Sequence, residues 1–216
     1  YFSLLNKMKK FKGVCLNLAV YGDLIILTGA WIQAFGAAVA SIGDTLVAIE
    51  AKRTVAEEVG GDLYAIGNAI EATGNALQAV GRELLPGNTD EKSLGILGSW
   101  FQAAGNISNV LGGSQSLSLD EEEGLNIDII GDVIQTIGAG LEAQGSSLSR
   151  SAYARVITTG QTIQTYALTI ETIGLVYIKK KRVRLGEQIL ALGSYAQTAG
   201  SLLEAIAYTK EFKLKY

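Results

Sequence analysis

Glycine returns at every seventh residue along most of this chain, and that spacing constrains its fold more than any other feature. The pulse runs Gly22, Gly29, Gly36, Gly43, then Gly60, Gly67, Gly74, Gly81, then Gly98, Gly105, Gly112. A fourth run is Gly124, Gly131, Gly138, Gly145. A fifth is Gly160, Ala167, Gly174, and a sixth is Gly186, Gly193, Gly200, Ala207. Alanine stands in where glycine fails, so the position requires a small side chain. A seven-residue period belongs to a helix, because a strand alternates at every second residue. The runs recur about 30–38 residues apart, the range of repeat architectures.

With each glycine at position a of a heptad, position d is apolar (Ile32, Val39, Leu63, Ile70, Ile127, Ile134, Ile163, Leu203) and so is g (Phe35, Ile42, Ile66, Ile137, Leu192, Ile206). Position e is polar: Gln33, Glu71, Gln78, Gln102, Asn109, Asp128, Gln135, Glu142, Gln164, Glu171, Gln197 and Glu204. Position b is mostly polar as well, with Asn68, Asn75, Asn106, Asp132, Gln161 and Ser194. On a helical wheel the e and b residues form a narrow stripe, while a, d and g form a broad apolar face. Trp31 and Trp100 share position c, which predicts an equivalent packing role for both.

An interior helical glycine costs about 1 kcal/mol relative to alanine. A dozen of them sacrifice roughly 10 kcal/mol, comparable to the whole stability of a domain. Close backbone approach is the expected compensation, since helices lacking Cβ atoms at their contact gain dispersion and Cα–H···O contacts. Gly29, Gly36, Gly43, Gly67, Gly74, Gly81, Gly98, Gly105, Gly131, Gly138, Gly160, Gly174, Gly193 and Gly200 are therefore the predicted helix-packing positions. The large d and g residues of one helix are expected to fill the grooves beside the glycines of the next.

These patterns predict an all-α, tightly packed up-and-down bundle or array of about six long helices over residues 22–216, preceded by a basic amphipathic segment at 1–21. The single proline suits long helices. Leu85-Pro86-Gly87-Asn88-Thr89-Asp90 reads as a turn followed by a cap. Gly60-Gly61-Asp62 and Gly145-Ser146-Ser147 read as turns, and Gly112 through Glu123 as a polar, acidic loop. Lys179-Lys180-Lys181-Arg182-Val183-Arg184 contains no breaker, so helices five and six are expected to join through a bent, charged segment. In an up-and-down order the acidic Asp120–Glu123 run and this basic run share one end, where they can pair within a chain or between stacked copies.

Composition narrows the chemistry. The chain has no histidine and one cysteine, Cys15, which excludes Ser-His-Asp and Cys-His catalysis, histidine zinc sites and an internal disulfide. Gly112-Gly113-Ser114 lacks the ending of a phosphate loop. No cofactor, metal site, small-molecule substrate or catalytic residue is expected. Net charge is −3: the first 12 residues carry four lysines, residues 179–216 carry +5, and the middle carries −12, so bulk charge does not point to nucleic acid. Residues 1–12 lack the apolar run of a secretory signal, which favours a cytoplasmic or spore-associated location.

The carboxylates Glu71, Glu142, Glu171 and Glu204 admit two readings. They can converge on a cation or an acid–base pair. The commoner arrangement is a hydrogen-bond ladder with Gln33, Gln102, Gln135, Gln164 and Gln197 along a partly buried stripe. Lys179, Lys180, Lys181, Arg182 and Arg184 read as a solvated loop or subunit contact, with anion or anionic-membrane binding as the alternative. Residues 24–43 carry no charge and are long enough to span a bilayer. The acids in the middle of the other repeats count against lipid, although small residues at regular spacing are also how membrane helices pack.

The unit Gly29-Ala30-Trp31-Ile32-Gln33-Ala34-Phe35-Gly36 and its echoes over residues 22–208 resemble small uncharacterised "repetitive" proteins of Bacillus-type spore-forming bacteria, a resemblance that implies no enzymatic activity. The expected function is that of a non-enzymatic structural protein that self-assembles with copies of itself through glycine-mediated helix packing. The alternative is a membrane-active or pore-forming helical bundle, its Gln/Glu stripe lining a pore or packed internally.

Overall fold

The computed structural model describes residues 2–49, 55–113 and 120–216, with side chains at 17–49, 58–113, 120 and 122–216. Six helices make up the described residues: α1 (Phe2–Ile49), α2 (Val55–Leu84), α3 (Asp90–Gly113), α4 (Glu121–Ser147), α5 (Ala154–Lys179) and α6 (Val183–Lys215). The fold is the expected all-α up-and-down bundle. Each helix packs mainly on two neighbours, and α6 returns to α1, so the six close into a barrel.

Three antiparallel hairpins build the barrel, each held by facing glycines. In α1/α2, Gly22 opposes Gly81, Gly29 opposes Gly74, Gly36 opposes Gly67 and Gly43 opposes Gly60. In α3/α4 the pairs are Gly98 with Gly138, Gly105 with Gly131 and Gly112 with Gly124. In α5/α6 they are Gly160 with Gly200 and Gly174 with Gly186, while Gly193 sits over Ala167. A Cβ added at these glycines would fall within about 3 Å of the opposing backbone or of a core side chain, closer than real Cβ atoms approach.

Several local expectations change. Gly60–Asp62 is not a turn: it lies inside α2, where Gly60 faces Gly43. Gly112 and Gly113 belong to α3 and Gly145–Ser147 to α4. The acidic-loop positions 114–119 lie outside the described residues. Helices five and six join through a bent, charged segment as read: the chain reverses through Lys180–Arg182 with Lys181 in the left-handed region at φ 60°. The Leu85–Asp90 turn forms as read, with Gly87 at φ 88° and the Thr89 hydroxyl accepting from the Lys92 amide at 3.2 Å. Asp120 caps α4 by accepting from the Glu123 amide at 2.8 Å. The 1–21 segment is continuous with α1; its lysines and Cys15 lie outside the residues whose side chains are described.

Candidate functional site

The barrel is polar inside and apolar outside. Positions a, b and e face inward, and the largest fully buried side chains are, apart from Leu168, all glutamine, glutamate or asparagine. Positions c and g turn outward, and the d residues are half-buried. This reverses the expected placement of the aliphatic residues: the grooves beside Gly29, Gly98, Gly105, Gly138, Gly193 and Gly200 are filled by the e-position methylenes of Gln78, Glu142, Gln135, Gln102, Glu171 and Gln164. At those glycines a slim methylene stem fills the groove beneath an amide or carboxylate tip, while beside Gly60, Gly81 and Gly186 the branched Val47, Ile26 and Ile178 take that place.

One hydrogen-bonded network joins all six helices across that axis. Gln78 Nε2 donates to Gln33 Oε1 at 2.7 Å, Gln33 Nε2 to Gln164 Oε1 at 2.8 Å, and Gln164 Nε2 to Glu204 Oε2 at 2.9 Å. Gln102 Nε2 and the Ser99 hydroxyl donate to Glu142 Oε1 at 2.8 and 2.9 Å. Gln161 Nε2 bridges Glu142 and Glu204, at 3.1 Å to each. Arg82 supplies the counter-charge: its Nη2 lies 2.7 Å from Glu142 Oε2 and 4.0 Å from Glu204 Oε1, and donates to the Tyr208 hydroxyl at 2.9 Å. Such a layer satisfies polar groups that would each cost about 1–3 kcal/mol if buried alone.

Of the predicted ladder, Gln33, Gln102, Glu142, Gln164 and Glu204 belong to this network. Gln197 and Glu71 form a separate pair, Nε2 to Oε2 at 3.0 Å. Gln135 and Glu171 are buried on the same stripe, yet the oxygens Gln135 Oε1 and Glu171 Oε1 have no partner among the described residues. Arg82, Tyr208 and Asp44 were not singled out from the sequence, whereas Ser194 was placed on the polar stripe at position b. Arg82 follows Gly81 at position b, so the register contained the signal. Asp44 accepts from the Ser194 hydroxyl, and Asp132 from Asn109 Nδ2 at 2.7 Å.

Two cavities indent the barrel ends. One of about 290 Å³ is lined by Asp23, Arg82, Glu142, Gln161, Tyr208 and Lys215, among others. The other, about 140 Å³, is lined by Asp44, Tyr64, Asp128 and Glu187 with apolar neighbours. At the first end Asp23 accepts from Lys215 Nζ at 3.2 Å and from the Tyr216 hydroxyl at 3.1 Å. At the second, Lys179 Nζ meets Glu122 Oε1 at 3.8 Å and Asn126 Oδ1 at 2.5 Å, so the acidic and basic runs do meet within one chain. Lys180, Lys181, Arg182 and Arg184 are exposed there, with Arg182 lying 6.0 Å from the Tyr177 ring centroid. No group of three or more acids or cysteines that could hold a metal ion occurs among the described residues.

The outer surface is a belt. Phe35, Ile66, Ile107, Ile137, Tyr166 and Leu192 are exposed, one from each helix, as are Trp31 and Trp100 at 44% each. Between the charged ends every helix has about 20 residues with no exposed charge, roughly 30 Å at 1.5 Å per residue. The acids within those stretches, Asp44, Glu71, Asp128, Asp132, Glu142, Glu171 and Glu204, are all buried in the barrel. Hydroxyls on the belt are occupied locally: Thr28, Thr73, Ser108 and Thr169 each donate to the carbonyl four residues earlier.

Residues 24–205 match the model of a family of unknown function, DUF6944. No curated protein and no solved structure matches the chain.

Proposed function

For a chain that belongs to the DUF6944 family, we propose a non-enzymatic role as an integral membrane protein, a sealed six-helix barrel with its apolar belt in the bilayer. The belt that surrounds a polar core carries this reading. Its height of roughly 30 Å equals the hydrocarbon thickness of a bilayer, and it runs around all six helices, whereas contacts between copies in water cover a sector. The acids that count against lipid in the linear sequence face the barrel axis, where amides and Arg82 meet several of them. Small residues at the helix contacts and interhelical amide bonds supply association where no hydrophobic drive exists between helices.

Flotation with anionic vesicles tests this. The protein is expected to rise with the vesicles and to stay with them in high salt and alkaline carbonate. Recovery as a compact monomer in detergent-free buffer overturns it.

A second reading, self-assembly in water through the same belt, is favoured by hydropathy. Only the stretch Asn17–Ile49 of α1 is apolar enough over its length to cross a membrane by composition, among the described residues. On that reading the belt is covered by further copies, and detergent-free preparations contain uniform, large soluble assemblies that do not float.

A further inference from the structure

At the base of the 290 Å³ cavity one cation stands between two carboxylates. Arg82 is the one buried cation among the described residues, and Glu142 and Glu204 are 2% and 1% exposed. Arg82 Nη2 reaches Glu142 Oε2 at 2.7 Å but stays 4.0 Å from Glu204 Oε1, too far for a hydrogen bond.

The donors are divided just as unevenly. Glu142 accepts from four groups: Ser99 Oγ at 2.9 Å and Gln102 Nε2 at 2.8 Å on Oε1, Arg82 Nη2 at 2.7 Å and Gln161 Nε2 at 3.1 Å on Oε2. Such a shell, with a guanidinium in it, suits an ion. Among the described residues Glu204 accepts from two groups, both neutral amides: Gln161 Nε2 at 3.1 Å on Oε1 and Gln164 Nε2 at 2.9 Å on Oε2.

No further cation reaches the pair. The charges that act on Glu204 are those of Glu142 from α4 and Arg82 from α2. Beside it α5 presents the neutral Gln161 and Gln164 and leaves Arg155 exposed, while α6 itself adds Tyr208, whose hydroxyl accepts from Arg82 at 2.9 Å. The other ions that line the cavity, Asp23 of α1, Glu91 and Lys92 of α3, and Glu211 and Lys215 of α6, sit at its mouth. There Lys215 holds Asp23 at 3.2 Å and Glu211 at 2.8 Å, and Lys92 donates to the carbonyls of Glu83, Leu85 and Gly87. A buried carboxylate with no cation of its own neutralises rather than stay charged. The cavity gives it the means, since Arg82, Glu142, Gln161 and Tyr208 all line it.

We propose that the Glu142–Glu204 pair holds one exchangeable proton, seated on Glu204 and drawn from this cavity, and that the proton latches the C-terminal half of α6 to α2, α4 and α5. Protonated, Glu204 leaves Arg82 to Glu142, one charge against one. Without the proton two carboxylates share a single guanidinium, their repulsion is unbalanced, and the seat of α6 loosens. Only interior groups are involved, so the latch stands whether lipid or further copies cover the belt. The folded chain keeps a proton that the unfolded chain gives up above the ordinary glutamate range. The latch therefore contributes its stability at low pH and loses it as pH rises.

Denaturant unfolding of the full chain between about pH 5 and about pH 9 is the test. The folding equilibrium constant of the wild type is expected to fall with pH more steeply than that of Glu204→Gln, by up to about tenfold per pH unit where the proton leaves. Glu142→Gln is expected to flatten the profile in the same way, because Arg82 then serves Glu204 alone. The remaining buried acids add their own slope to all three chains and drop out of the comparison. Parallel profiles for the wild type and Glu204→Gln overturn the latch. If Glu204→Gln does not fold, Glu142→Gln decides: a flattened profile supports the shared proton, and one as steep as the wild type refutes it.

Discussion

Gly29 and Gly74 face each other so closely that a Cβ on either would sit 2.5–2.6 Å from the carbonyl oxygen of the other. Gly74 would also meet the Gln33 amide nitrogen at 2.5 Å. Both obstacles are backbone, so no rotamer change relieves them. Gly74→Ala is expected to destabilise the fold by about 3 kcal/mol despite the better helix propensity of alanine. Gly140 lies on the same kind of helix with nothing within 4 Å of its would-be Cβ. Gly140→Ala is expected to be neutral or to stabilise by up to about 1 kcal/mol. Chemical denaturation of the two variants checks the contrast; equal effects would remove the zipper from the account.

Arg82 is the counter-ion of the six-helix network. Arg82→Met leaves Glu142 buried without its partner and is expected to cost about 3–5 kcal/mol. Adding Glu142→Gln removes the stranded charge, so the double variant should recover much of that loss. A thermodynamic cycle over the two positions measures the recovery.

Gln33 both donates to Gln164 and accepts from Gln78, so it links α1 to α5 and α2. Gln33→Leu keeps the bulk but strands a donor on Gln78 and an acceptor on Gln164, an expected loss of about 2 kcal/mol or more. Truncation at Gln144, exposed on the outer side of α4, should change stability by less than about 0.5 kcal/mol. Urea midpoints compare the two.

The belt has its own test. Phe35 is 63% exposed, so Phe35→Arg disturbs no interior contact. At mid-bilayer depth an arginine costs about 2.5–3.5 kcal/mol on insertion scales. Vesicle partition should therefore fall by roughly two orders of magnitude, while helix content by circular dichroism stays unchanged. Unaltered partition would argue against lipid at this face.

Lys181 holds a left-handed backbone conformation in the α5–α6 turn, which costs a residue with a Cβ about 1–2 kcal/mol. Lys181→Gly is expected to return about 1 kcal/mol of that, read as a higher unfolding midpoint.

The six helices, the Leu85–Asp90 turn and the need for small residues at position a were legible in the chain, because glycine spacing and helix stop signals are local. The sign of the amphipathic face was not. A helical wheel separates Ile32 and Phe35 from Gln33 but does not say which side the neighbours occupy. The usual rule sends the aliphatic face inward because it assumes water outside. Here Gln33 finds Gln78 and Gln164, from segments far away in sequence, and no local pattern encodes that meeting. Gly60–Asp62 was misread for a related reason. A glycine pair followed by aspartate has turn chemistry, and only the register with Gly67, Gly74 and Gly81 shows that Gly60 extends the zipper against Gly43. Arg82 was legible at position b, but its importance depends on Glu142 and Glu204 arriving from two other helices.

The return of α6 to α1 has a consequence for biogenesis. Each hairpin completes its own glycine seam from contiguous chain, so three pairs are able to form as they leave the ribosome. Contacts such as Trp31 with Thr209 and Thr45 with Tyr195 wait for the last helix to be made. Until then α1 has an unclaimed flank, and Gln164 reaches no carboxylate on Glu204. Copies whose last helix has been made but has not yet docked are expected to lend it to one another, a misassembly that size-exclusion chromatography reads as domain-swapped dimers.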